Sequence, residues 1–192
     1  MTNEFKVVTV GDSGVGKTSL VNQFYSNTFN VDTKPTVGAA YLKCSVNIDD
    51  DSKVLLNIWD TAGQEKFHSL ISLYIRNANA CIIVCDITNE LAFQNVEKLY
   101  KSLIETLEKK ALIYICANKI DLEDQIDTTK IEEFAEKNKL SFFKTSAMTG
   151  SGVNELFFCI AAELLKNSGN FGKDDGIVNT ELIENNNNKK CC

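Results

Sequence analysis

Gly11-Asp12-Ser13-Gly14-Val15-Gly16-Lys17-Thr18 is the stretch that decides how this chain is read. It fits G-x-x-x-x-G-K-[ST] and stands between a β-branched run, Phe5 to Val10, and a segment, Lys17 to Tyr25, with Leu20, Val21, Phe24 and Tyr25 at helical spacing. Strand, glycine-rich loop and helix in that order predict a phosphate cradle. Glycine lets the backbone wrap closely enough to aim N–H groups at phosphate oxygens, and the helix start adds the positive end of its dipole. The predicted phosphate-binding positions are Ser13, Gly14, Val15, Gly16, Lys17, Thr18 and Ser19. Lys17 supplies a point charge to the β- and γ-phosphates, and Thr18 offers its hydroxyl to Mg²⁺. The dinucleotide pattern G-x-G-x-x-G is not matched.

Working outward, Tyr41 to Ile48 alternates, Asp49-Asp50-Asp51-Ser52 supplies a turn and Lys53 to Trp59 reads as a second strand, so a β-hairpin follows the first helix. Ala80 to Val84 and Ala111 to Ala117 are continuous apolar runs of the kind buried on both faces of a parallel sheet, with a helical stretch from about Leu91 to Leu107 between them. A helix near Thr129 to Asn138, the short Ser141-Phe142-Phe143 and an amphipathic helix over Val153 to Leu165 complete an α/β, doubly wound pattern. From about Asn167 the composition turns to Asn, Gly, Asp and Lys, which divides the chain into a domain over 1–168 and a tail over 169–192. The only proline, Pro35, lies in the long connection after the first helix, a candidate functional loop.

Composition narrows the classes further. The 192 residues are 44% hydrophobic and 24% charged, the usage of one globular domain able to bury a core. No apolar run approaches the ~20 residues that span a bilayer, and the opening residues lack the apolar stretch of a secretory signal, so a cytosolic chain is expected. A formal charge of −6 has the wrong sign for nucleic acid. The cations are 19 lysines and one arginine, Arg76, so chemistry that needs a guanidinium has one internal candidate. Seven cysteines, an odd number, argue against a disulfide framework; Cys81, Cys85, Cys116 and Cys159 sit in apolar runs and, with one histidine in the chain, read as buried thiols rather than zinc ligands.

A phosphate loop alone leaves ATPase, nucleotide kinase and GTPase open. Asn118-Lys119-Ile120-Asp121 follows the Ala111 to Ala117 run, and a carboxylate at Asp121 can accept from both the ring N–H and the exocyclic amine of guanine, a donor pair adenine lacks. Lys119 can lay its stem along the base, and Asn118 can tie this loop to the phosphate loop. These segments, together with Asp60-Thr61-Ala62-Gly63-Gln64 and Thr145-Ser146-Ala147, resemble in order and spacing the small GTPases of the Ras superfamily over about residues 5 to 168. Within that superfamily Ile58-Trp59-Asp60-Thr61-Ala62-Gly63-Gln64-Glu65-Lys66-Phe67, Cys85-Asp86-Ile87-Thr88 and the paired terminal cysteines resemble Rab GTPases. Gly38-Ala39-Ala40-Tyr41 and Phe67-His68-Ser69-Leu70 look most like the early-endosomal branch.

The resemblance implies a P-loop NTPase G domain with a mostly parallel six-stranded sheet and one antiparallel edge strand. It also implies a GTP/GDP switch with Mg²⁺ held through Thr18, Thr36 and Asp60. Thr36 and Gly63 would meet the γ-phosphate and, with Lys17 and Gln64, form the catalytic set, Gln64 orienting the attacking water. With one arginine in the chain, slow hydrolysis and an activating protein that supplies the arginine are expected. The guanine set is Phe29, Asn118, Lys119, Asp121, Ser146, Ala147 and Met148; Met148 stands where the family usually has lysine, and Ala147 would read the guanine oxygen through its N–H. Tyr41, Trp59 and Tyr74 resemble the aromatic triad with which Rabs meet effectors, although Tyr74-Ile75-Arg76-Asn77-Ala78 departs from the usual Tyr-Tyr-Arg-Gly-Ala. Ser13 lies where many Rabs carry a non-glycine residue and does not imply an inactive protein.

Cys191 and Cys192 resemble the doubly geranylgeranylated ending of Rabs, which implies membrane anchoring on the cytoplasmic face of endomembranes and cycling through the cytosol with a GDP-dissociation inhibitor. Three lysines against four carboxylates leave the tail from Gly169 at −1, so prenyl chains rather than charge would do the anchoring. Its 24 residues would span roughly 25 to 30 Å as a flexible coil. The expected partners are an exchange factor, an activating protein and effectors in vesicle traffic. Two other readings stand beside this one: a GTP-binding scaffold with negligible hydrolysis, and a nucleotide kinase, which would need arginines that this chain lacks.

Overall fold

Along β1 (Asn3–Val10) successive side chains go to opposite sides of a sheet: Phe5 and Val7 to one apolar layer, Val8 and Val10 to the other. The structure, a computed structural model, describes residues 3–32, 34–63, 68–107, 111–123 and 126–168, with the backbone alone for 68–71. After β1 come α1 (Lys17–Ser26), β2 (Ala39–Asn47), β3 (Lys53–Thr61), α2 (His68–Ile75), β4 (Ala80–Asp86), α3 (Ala92–Thr106), β5 (Leu112–Asn118), α4 (Thr129–Lys137), β6 (Ser141–Thr145) and α5 (Val153–Lys166). The sheet order is β2-β3-β1-β4-β5-β6, with β2 antiparallel to β3 and every other pair parallel. This is the six-stranded α/β sheet with one antiparallel edge strand that the sequence led us to expect.

Winding reverses at β1, which has β3 on one side and β4 on the other, so a crevice opens beyond the carboxyl ends of these strands. Register then aligns the polar strand ends: Thr9 lies beside Asp60, Asp86 beside Asn118 and Asn118 beside Thr145. The apolar layers below hold those ends in place. One packs Leu20 and Val21 of α1 and Leu156, Phe157, Ile160 and Leu164 of α5 on the sheet; the other packs Ile75 of α2, Val96 and Leu103 of α3 and Ile131 of α4.

Phe157 is fully buried and stacks on Phe24 with ring centroids 4.0 Å apart, which joins α5 to the helix that follows the phosphate loop. Phe157→Ala is expected to cost about 3–5 kcal/mol, as deletion of a large core ring does. Urea unfolding of both proteins checks this, and a loss below about 1 kcal/mol would contradict the packing.

Two local results refine the sequence reading. Cys81, Cys85, Cys116 and Cys159 are buried, as expected, and Cys44 joins them. Burial pushes the Cys44 thiol up to about 11 and those of Cys81 and Cys116 up to about 12. Helix α2 was not anticipated. Its sequence, HSLISLYI, is eight residues long and apolar nearly all round, so it carries no clear 3.6-residue stripe and is too short to form on propensity alone. Burial of Ile75 under the sheet's second layer anchors its end instead.

Candidate nucleotide site

The loop between β1 and α1 is built to bring backbone close to a ligand. Gly16 caps α1 in the left-handed region at φ +95°, and its carbonyl accepts the Leu20 N–H at 2.8 Å to begin the helix. A β-carbon at Gly16 would overlap the Asn118 side chain; one at Gly63 would overlap the Asp12 carbonyl and the Lys17 ammonium. The loop after β3 thus lies directly over the phosphate loop, where only glycine fits.

Lys17 Nζ donates to the carbonyls of Gly11 at 2.8 Å and Asp12 at 2.7 Å, which aims the cation along the loop. Burial lowers its pKa to about 8, against the opposing pull of Asp60 and Asp12. A buried ammonium held mainly by carbonyls suits an incoming polyanion, whose charge would favour its protonated form.

Next to it, Thr18 Oγ1 donates to Asp60 Oδ2 at 2.6 Å and lies 2.9 Å from Thr36 Oγ1, while Thr9 Oγ1 donates to Asp60 Oδ1 at 3.3 Å. Burial raises the Asp60 pKa, opposed by the Thr18 hydroxyl, the Lys17 charge and the Thr9 and Thr36 hydroxyls. Two hydroxyls and one carboxylate converging from α1, the loop before β2 and β3 form an all-oxygen set. That donor set fits Mg²⁺, which prefers few protein ligands and completes its shell with water and phosphate.

The opposite wall comes from β5 and β6. Asn118, 1% exposed, donates from Nδ2 to the Val15 carbonyl at 2.9 Å, and its Oδ1 accepts from Thr145 Oγ1 and the Ala147 N–H, each at 3.1 Å. It therefore braces the phosphate loop against this wall, as its sequence position suggested. The Ala147 N–H, expected to read a base oxygen, points at Asn118 Oδ1 in this structure. Ser146 Oγ donates to Asp121 Oδ1 at 2.5 Å and so orients the carboxylate. Between the walls lies a cleft of about 500 Å³, a volume suited to a small ligand, with Phe29, Lys119, Leu122 and Met148 among its lining residues.

Lys119 takes a positive φ of 74°, and its Nζ reaches Asp86 Oδ2 at 2.5 Å. Burial works to raise the Asp86 pKa, but the Lys119 hydrogen bond, two bonds from Thr88 and the Lys119 charge outweigh it, so the net shift is downward. A depressed carboxylate stabilises the fold fully above its unfolded pKa of about 3.9 and loses that contribution as pH falls through the lower folded value. Asp86→Asn is accordingly expected to lower the urea midpoint at pH 7, with the gap from wild type closing as the pH drops below about 4. A gap that stays constant over this range would contradict the pair's contribution.

Most of the expected site residues meet in this cleft: Ser13, Gly14, Gly16, Lys17, Thr18, Ser19, Phe29, Thr36, Gly63, Asn118, Lys119, Asp121, Ala147 and Met148 all line it. Asp60 and Ser146 sit just behind the lining, joined to Thr18 and Asp121. Val15 turns its side chain into the core and presents its carbonyl to Asn118. Tyr41, Trp59 and Tyr74 gather elsewhere, with ring centroids 5.4 Å apart for the first pair and 5.7 Å for the second. Arg76 is exposed at the end of α2 and does not line the cleft. Gln64, Cys191 and Cys192 lie outside the described residues. The sequence reading missed Asn30, Val31, Lys34 and Leu122 in the lining and Thr9, Asp86 and Thr145 in the supporting network. Their signal is polar residues at predicted strand ends and positions flanking Pro35.

Fold and cleft together define a P-loop nucleotide-binding α/β domain with its site at the topological switch point. Residues 6–166 match the Ras family, and the chain belongs to that family. It is a small GTPase of the Ras superfamily, a guanine-nucleotide switch; the ligands of this class are GTP and GDP, typically with Mg²⁺, and its regulators are exchange and activating proteins.

Proposed function

We propose that this chain is a Rab-type switch, anchored to membranes through Cys191 and Cys192, which recruits effectors in its GTP form to direct vesicle traffic and hydrolyses GTP slowly as the off step. The observation that carries this reading is the aromatic cluster that Tyr41, Trp59 and Tyr74 make from β2, β3 and α2. Aromatic side chains are enriched among the anchors of protein interfaces, and Tyr41 is half exposed. Early-endosomal membranes, reached on their cytoplasmic face, are the compartment we assign, with a GDP-dissociation inhibitor carrying the prenylated chain through the cytosol.

In this reading residues 13–19 cradle the phosphates, and Phe29, Asn118, Lys119, Asp121, Ser146, Ala147 and Met148 hold and read guanine. Thr18, Thr36 and Asp60 would hold Mg²⁺, which when bound neutralises charge on the β- and γ-phosphate oxygens. Lys17 adds its charge on the same side, the Gly63 N–H and Thr36 meet the γ-phosphate, and Gln64 orients water. Because Arg76 is exposed and away from the cleft, the missing positive charge comes from an activating protein.

Single-turnover hydrolysis of radiolabelled GTP, alone and with an activating protein, tests the off step. We expect slow turnover alone and an acceleration on the order of 10³ to 10⁵ with the activator, lost in Gln64→Leu. Fast turnover without an activator, or a Gln64→Leu variant that responds like wild type, contradicts the assignment. A chain that binds GTP but responds to no activator would instead be a scaffold.

A further inference from the structure

Lys6 stands on β1 beside the second apolar layer, on the same side of the sheet as Val8, Val10 and Ile75 of α2. Its Nζ donates to the Arg76 carbonyl at 2.8 Å and lies 5.4 Å from the centre of the Trp59 ring. Arg76 directly follows α2, and the chain leaves the helix through Asn77 at φ +57°. The Lys6 charge thus sits at the negative end of the α2 dipole, on an otherwise orphaned type of carbonyl. The same segment is bound to β1 twice more: the Lys6 N–H donates to Asn79 Oδ1 at 2.7 Å, and the Asn79 N–H donates to the Lys6 carbonyl at 2.9 Å.

One side chain therefore touches both the end of α2 and the indole of β3. That indole meets Tyr41 across the β2–β3 ladder and Tyr74 two residues before Arg76. Any displacement of the end of α2 relative to the sheet must stretch the Lys6–Arg76 bond or carry the ammonium across the Trp59 ring.

We propose that Lys6 is a positioning residue that couples the end of α2 to the aromatic face, so that the arrangement of Tyr41, Trp59 and Tyr74 follows the helix. The coupling stands on the contacts of Lys6; its use in effector recruitment rests on the function proposed above.

Trp59 is the only tryptophan in the chain, so its emission reports on this contact without any effector. Full-length wild type, Lys6→Met, Lys6→Gln and Lys6→Arg are each loaded with GDP or with a non-hydrolysable GTP analogue, and bound nucleotide is counted. The emission difference between the two loaded states of wild type is expected to fall at least two-fold in Lys6→Met and to persist in Lys6→Arg, with nucleotide content equal in all. Lys6→Gln, also neutral, gives the same answer should the methionine variant fold poorly. The proposal is overturned if the neutral variants keep the wild-type difference, if Lys6→Arg loses as much as they do, or if wild type shows no difference. A wild-type chain that takes up no guanine nucleotide sinks the functional reading instead. The coupling is then read from acrylamide quenching of Trp59, where Lys6→Met is expected to raise the quenching constant at least two-fold and an unchanged constant overturns it.

Discussion

Asp121→Asn is expected to reverse the base that the cleft selects. The Asp121 carboxylate offers two acceptor oxygens, and Ser146 donates to one of them, which fixes the plane of the group. Guanine presents two adjacent donors, its ring N–H and its exocyclic amine, so on the proposed reading both oxygens would be used. An asparagine amide bound to Ser146 in the same way keeps one acceptor and replaces the other with a donor, which suits the ring N–H and the 2-carbonyl of xanthine. Hydrogen bonds to charged groups contribute about 1.5–3 kcal/mol each, and a mismatched donor facing a donor adds a desolvation penalty. GTP affinity should therefore fall by about 10²-fold or more while xanthosine triphosphate gains a comparable factor. Competition between the two nucleotides on both proteins measures the switch; a variant that still prefers GTP would place the base reader elsewhere.

Lys17→Met should abolish tight binding through the phosphates alone. The methionine keeps much of the buried stem and removes the ammonium that Gly11 and Asp12 aim along the phosphate loop. Removing one member of a buried charge pair costs about 3–5 kcal/mol, which corresponds to about 10²- to 10³-fold or more in affinity. Guanosine, which carries the base without phosphates, is the control: its weak binding should be the same in both proteins. An equal loss for guanosine and GTP would show a collapsed cleft rather than a missing charge.

What could be read in advance follows from the distance over which each interaction acts. The phosphate loop is contiguous in sequence, and its glycines and its neighbours in β1 and α1 identify it without tertiary information. Asn118 was readable as a brace because its motif is also local, and the hydrogen bond to Val15 bears it out. The Asp86–Lys119 pair was not, because it depends on the parallel register that sets Asp86 beside Asn118. The aromatic cluster was suggested only by resemblance: Tyr41 and Trp59 become neighbours through the antiparallel β2–β3 register, and Tyr74 joins them only once α2 packs on the sheet. Helix α2 itself escaped because an eight-residue apolar segment gives the same pattern as a buried strand. Lys34 and Val31 reach the cleft through the path of the loop before β2, which no periodicity encodes.

Identifying the nucleotide that the protein carries through purification tests the central claim most directly. The chain is purified with no nucleotide added, denatured, and the released small molecules are separated by chromatography. Stoichiometric GDP or GTP is the result predicted by Asp121, the Lys17 cradle and the Ras family match. Adenine nucleotide in its place, or an empty chain with no affinity for added GTP, would contradict the guanine switch.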